Sequence, residues 1–192
     1  MGKAGGRIET KRKTANWGVG KSHNSIVLVI SDYNDIFSNF DPRSYSVRSL
    51  SVDFIDETKR ASIDKAIGGL KLQLIVPGRL RDQDLEIVIK RRLKAHFKKH
   101  LKKIHIQNRR MIHKGIAFII AGAATMFLAT LFLFRYAEQD MFKHFMLILL
   151  EPAGWFFFWE GLNLIIFETE HKKPEEEFYK KMAACAIKFA SR

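Results

Sequence analysis

The chain has 192 residues, a net charge of +13 and a single cysteine. One cysteine excludes an intrachain disulfide, and the excess of positive charge points to an anionic partner, either a membrane surface or a nucleic acid. The densest basic stretch abuts a long apolar run, which favours the membrane over nucleic acid.

In chain order, residues 1–24 read as a disordered basic tail, rich in Gly and Lys/Arg with little to bury. They contain no apolar run, so we expect no cleavable signal peptide. Gly20-Lys21-Ser22 resembles the end of a phosphate loop, but Ala15 stands where that motif needs Gly, and a strand follows instead of preceding it. Ser25–Ser31 is a β-branched run that predicts a buried strand. Residues 32–49 are loop-like, and Tyr33, Phe37, Phe40 and Tyr45 are expected to pin that loop to the domain. Ser51 can cap a helix to about Lys65, ended by Gly68-Gly69, and Leu70–Pro77 alternates as a half-buried strand. From Asp82 or Asp84 a long helix begins, with Leu85, Ile89, Leu93, Phe97, Leu101 and Ile104 on one stripe. Two strands make a poor sheet, so a third is expected from the loop or from a neighbouring subunit.

Gly115–Phe134 carries no charge over 20 residues, and Phe145–Phe167 is 23 mostly apolar residues. At about 1.5 Å per residue, each covers the roughly 30 Å of a bilayer core. The spans are expected at about 115–136 and 145–168, with the basic helix running unbroken into the first. Lys90–Lys114 holds eleven Lys or Arg and no acid, and Lys172 and Lys173 follow the second span. The positive-inside rule then puts both termini in the cytoplasm, and the inner (plasma) membrane is the expected location. Lys98, Lys99, Lys102, Lys103, Arg109, Arg110 and Lys114 are the expected contacts to anionic lipid. His96 and His100 share a helix face, but no acid or thiol accompanies them, so no metal or other cofactor is expected.

Glu151 and Glu160 fall within the second span, where a carboxylate is costly. Nine residues apart, they point to opposite sides and form no catalytic pair. Asn163 shares a face with Glu160. One reading has Glu160 lining a pore or proton path; the other has it protonated and hydrogen-bonded to Asn163 or to a backbone carbonyl in a helix interface, and Glu151 reaching out to Arg135 or Thr130. Gly154 and Gly161 form a small-residue stripe expected to dock on Ala117, Ala121 and Thr125 of the first span. Pro152 is expected to kink the helix beside Glu151, and Pro174 to open a C-terminal amphipathic helix whose apolar face is Phe178, Met182, Cys185 and Phe189. Cys185 on such a face reads as a small core hydrophobe.

Three segments carry a resemblance: Asn34-Asp35-Ile36-Phe37, then Phe40-Asp41-Pro42-Arg43 with Tyr45-Ser46, then Trp155 with Trp159-Glu160. Over residues 25–190 the chain resembles a family of small uncharacterised prokaryotic membrane proteins with a two-span hairpin. The resemblance implies the architecture and brings no activity. Asp41 and Arg43 read as a fold-internal pair or an assembly contact.

The expectation is therefore an α+β cytoplasmic domain of strand–helix–strand–helix (25–110), a transmembrane hairpin (111–170) and a C-terminal helix (171–192). No nucleophile–base pair, metal cluster or nucleotide loop is recognisable, which argues against an enzyme. The expected role is a homo-oligomeric scaffold; the alternative is a cation- or proton-conducting pore lined by Glu160. Expected partners are further copies of the chain, anionic lipids and, at most, an unlike membrane subunit.

Overall fold

A computed structural model of the chain describes residues 24–135 and 141–192. The expected tail up to residue 23, with the Gly20-Lys21-Ser22 segment, and residues 136–140 of the loop between the apolar runs lie outside them. Strand β1 (Ser25–Val29), helix α1 (Val52–Ser62) and strand β2 (Lys71–Val76) come first. Helix α2 (Gln83–Arg135) and helix α3 (Met141–Ala184) follow, and strand β3 (Ala186–Ser191) closes the chain. Two of these helices, α2 and α3, are long and apolar enough to cross a membrane.

The sheet is three-stranded and parallel, in the order β1-β2-β3. The third strand comes from the chain's own C-terminal segment, not from the loop or a neighbouring subunit. The expected C-terminal helix is corrected accordingly. Its first part is the last turns of α3, which runs through Pro174, and Lys188 and Phe189 lie in a strand. Leu72 and Leu74 of the central strand face Ile187 and Phe189, and that pairing outweighs a helical propensity of a few tenths of a kcal/mol per residue.

One face of the sheet is buried. Ile26, Leu72 and Ile187 stand in one row across it and all are buried. They meet the stripe of α2 that the sequence marks, with Ile89, Leu93 and Phe97 fully buried. The rings of Phe178 and Tyr179 lie at Phe97, the Phe178 ring edge-on to it. Met182 and Cys185 complete the core. Burial pushes the Cys185 thiol up to about 11, which keeps it a protonated hydrophobe. Gly68 and Gly69 adopt φ of 104° and 65°, backbone that Gly takes freely, and Asn24 bonds to the Gly68 carbonyl at 2.6 Å to fasten the turn.

The loop is pinned as expected by Tyr33, Phe37 and Tyr45, but Phe40 is 98% exposed. Arg48 supplies what the aromatics do not. Its guanidinium lies over the Phe37 and Tyr45 rings and donates to the Asn34 side chain and the Ser38 carbonyl.

The connection between β2 and β3 is the whole α2–α3 hairpin. A parallel pair needs a long crossover; here it extends by about 80 Å of helix, since α2 alone has 53 residues. The head, meaning the sheet, α1 and the adjoining parts of α2 and α3, thus sits at one end of a two-helix stalk, and both ends of the described chain belong to it.

Candidate functional site

The apolar ends of α2 and α3 meet along glycines. A Cβ on Gly122 would lie 2.5 Å from the Phe158 nitrogen, and one on Gly161 would lie 2.6 Å from the Gly115 carbonyl. Gly115, Gly122 and Ala129 are buried and recur every seven residues on α2, opposite Gly154 and Gly161 on α3. This corrects the expected seam. Gly154 and Gly161 do dock, but Ala117 and Ala121 are exposed and Thr125 is half-buried. The reason is size: Gly lets backbones approach closer than Ala does.

This register sets the level of each polar group. Gly161 lies against Gly115 and Ile119, so Glu160 is level with the beginning of the first apolar run, about 5 Å past Gly115 along the helix. It is half-buried, and Asn163 donates to it at 3.5 Å. Glu151 lies about 13 Å further along α3. It borders a cleft of about 650 Å³ with Met126, Thr130, Pro152 and Trp155. The Thr130 hydroxyl donates to the Met126 carbonyl. The two carboxylates are separate, as their spacing requires.

Below the apolar run, α2 and α3 continue together as the stalk. Asn108 donates to Glu176 at 2.9 Å, and the other oxygen of that carboxylate meets the His105 ring at 3.2 Å. All seven expected lipid cations are exposed. Counting back from Gly115, Arg109, Arg110 and Lys114 lie within about 9 Å, the reach of a headgroup layer. Lys103 lies about 18 Å away and Lys98 about 25 Å, beyond a Debye length of about 8 Å.

His96 and His100 do not splay to grip an ion. Their rings stack at 4.2 Å, and His100 stacks on Tyr179 of α3 at 5.1 Å. Burial first, then the His100, Arg92 and Lys99 charges, bring His96 down to about 4. Burial lowers His100 too, with Lys103, Lys99 and Arg92 adding to it and Glu175 opposing. A lowered folded value means that protonation favours the unfolded chain, so this stability is present above about pH 6.5 and is lost as the pH falls toward 4. Between pH 7 and 5 we expect unfolding of the head to become easier by about 1 kcal/mol, discounted for partial exposure. His96→Phe should flatten that dependence in denaturant titrations; an unchanged slope would assign it to other groups.

In the head, Asp41 and Arg43 form a two-pronged ion pair, and the Ser49 amide donates to the same carboxylate. The Arg43 guanidinium holds Asp41 well below the usual carboxylate range. The pair is internal to the loop. The sequence reading missed Glu86, a buried carboxylate bound by Arg81 and by the Tyr33 hydroxyl at 3.1 Å. It missed Lys181 too, buried on α3 with its ammonium on the Ser62 and Ile63 carbonyls, where a cation offsets the negative end of α1. The Tyr33–Glu86 and Lys181–Ser62 bonds join residues far apart in the chain and have no local signature.

No family model, curated protein or solved structure matches the chain.

Proposed function

We propose that the chain is a two-span membrane protein that carries a small α/β head on a rigid stalk and assembles with further copies into a platform at the cytoplasmic face of the inner membrane. The observation that carries this reading is continuity. Helices α2 and α3 pass from the head's core to the end of the apolar runs without a break among the described residues. Such a stalk fixes the head's height and bearing, which a scaffold needs and a tethered enzyme does not. Strands β1 and β3 share one sheet, so a spanning hairpin would have both ends of the described chain on one side. The cluster of Lys and Arg beside the first run makes that side the cytoplasm.

Closure of the sheet within one chain removes one reason to expect an oligomer. The remaining reason is that the Glu160–Asn163 pair and Glu151 sit in the apolar part with only two helices to shield them. The rival pore lined by Glu160 is less favoured, because that carboxylate lies near one end of the apolar run and already has Asn163 as a partner. Native mass of the protein in nanodiscs tests the reading. We expect one discrete species larger than a dimer, with Glu160→Gln leaving ion flux unchanged. A monomer would sink the platform, and flux lost in Glu160→Gln with assembly intact would establish the pore.

A further inference from the structure

We propose that the groove along the stalk, from Lys98 to Ile112, binds an acidic amphipathic helix of a partner protein. The inference deepens the platform reading, and rests on it, by naming what the platform holds.

The core stripe of α2 is spent on the head. Along the edge of that stripe, where Leu101 is half-buried against the core, Lys98, Leu101, His105, Asn108 and Ile112 follow one another at alternating spacings of three and four, the period of a helix-docking seam. With Glu176 of α3 as the far wall, these residues line a groove of about 690 Å³. Its length, Lys98 to Ile112, is about 21 Å, or four turns of an incoming helix.

Asn108 is the second observation. It is only 9% exposed. Its amide nitrogen donates to Glu176, while its oxygen is buried with no hydrogen-bond partner. A buried acceptor left unpaired costs about 1–3 kcal/mol, and it lies in the wall of this groove. A Gln, Asn or Ser side chain on a docked helix would donate to it once Asn108 turns its amide toward the groove.

The rim selects the sign of the partner. Lys98, Lys102 and Arg109 border the groove and are exposed. The one acid present, Glu176, is already engaged by His105 and Asn108. A second copy of this chain would bring like charge against like. A lipid headgroup fits the upper end alone, since Lys98 stands about 25 Å from the apolar run. A nucleic acid has no use for a floor of Leu101, Ile106 and Ile112. An acidic helix with an apolar stripe satisfies floor, rim and Asn108 together.

The test uses the full chain in phosphatidylcholine nanodiscs and two fluorescent synthetic peptides of about 14 residues, four turns long. One has Leu at helical spacing, Glu on its flanks and a Gln on the Leu stripe; the other is its scramble. We expect saturable binding by fluorescence anisotropy, with the scramble at least about tenfold weaker. Lys102→Glu combined with Arg109→Glu, and separately Ile106→Glu, should each weaken binding at least about tenfold with the thermal melt unchanged. Equal binding of the scramble, or indifference to both variants, overturns the proposal. So does displacement of the peptide by phosphatidylglycerol in the nanodisc, which makes the groove a lipid site, or by poly(U), which makes it a nucleic-acid site. A change of native mass in the charge-reversed variant would make it a contact between copies and equally overturn it. The platform fails separately: a monomeric particle that still binds the helical peptide ends that reading and leaves the groove standing.

Discussion

Replacing Gly122 with leucine is expected to force the apolar ends of α2 and α3 apart. The first atom added, a Cβ, would lie 2.5 Å from the Phe158 nitrogen, 2.7 Å from the Gly154 carbonyl and 2.9 Å from the Phe158 Cα. All three are backbone atoms, so no side chain can turn aside. Overpacking of a yielding site costs about 1–3 kcal/mol, and this one does not yield, so we expect a loss of about 3 kcal/mol or more. Gly161→Leu should behave alike, because a Cβ there meets the Gly115 carbonyl at 2.6 Å and the Ile119 nitrogen at 2.8 Å. Ala121→Leu is the control. Ala121 is exposed, and its substitution should stay within about 0.5 kcal/mol. Thermal unfolding in nanodiscs, with a spin-label distance between the two helices, reads both effects. If Ala121→Leu separates the helices and Gly122→Leu does not, the pair docks through Ala117, Ala121 and Thr125 after all.

A second large effect is expected from Ile187→Asp. Ile187 lies opposite Leu72 in the sheet, and both are buried. A carboxylate there has no partner, and a buried unpaired charge costs several kcal/mol. A domain of this size has about 5–15 kcal/mol in total, so the head should unfold while the apolar hairpin persists. Amide exchange separates the two: protection should vanish across β1 and β2 and survive beyond Gly115. Lys188→Asp, at an exposed position of the same strand, should change little. Full protection of β2 in Ile187→Asp would mean that something other than β3 covers its edge.

Much of this architecture was readable from local pattern. The stripe from Leu85 to Ile104 has a helical period over five turns and packs into the core, with Leu85 and Leu101 half-buried at its edge, and the alternation over Leu70–Pro77 gave β2 its limits to within a residue. The errors fall where two patterns fit one segment. Met182, Cys185 and Phe189 continue a helical spacing, yet Ile187 and Phe189 also alternate as in a strand; only pairing with β2, far along the chain, decides between them. Pro174 has the look of a helix start. Lys172 before it, bonded to Met111, and Glu176, Phe178 and Met182 after it tie α3 to its neighbours on either side, and that packing carries the helix through a residue costing about 3 kcal/mol. At the candidate site, the four-residue spacing of Ala117, Ala121 and Thr125 drew attention from the seven-residue spacing of Gly115, Gly122 and Ala129. The stalk groove was invisible for a different reason. Its cations were plain in the sequence, but the wall that Glu176 of α3 adds beside them comes from a helix 68 residues along the chain from Asn108.

The path of the chain has a consequence for biosynthesis. The hairpin is the link between β2 and β3, so, if it spans a bilayer as proposed, β3 leaves the ribosome only after both apolar stretches. A nascent chain with one leg inserted and the other left outside would strand β3 across the membrane from its partner. Its head would hold two strands, Leu72 and Leu74 would lie bare, and the product would be a natural substrate for quality-control proteases. In the proposed two-span topology, completion of the sheet would be a proofreading step for insertion: the head would fold only when the hairpin has gone in and come back.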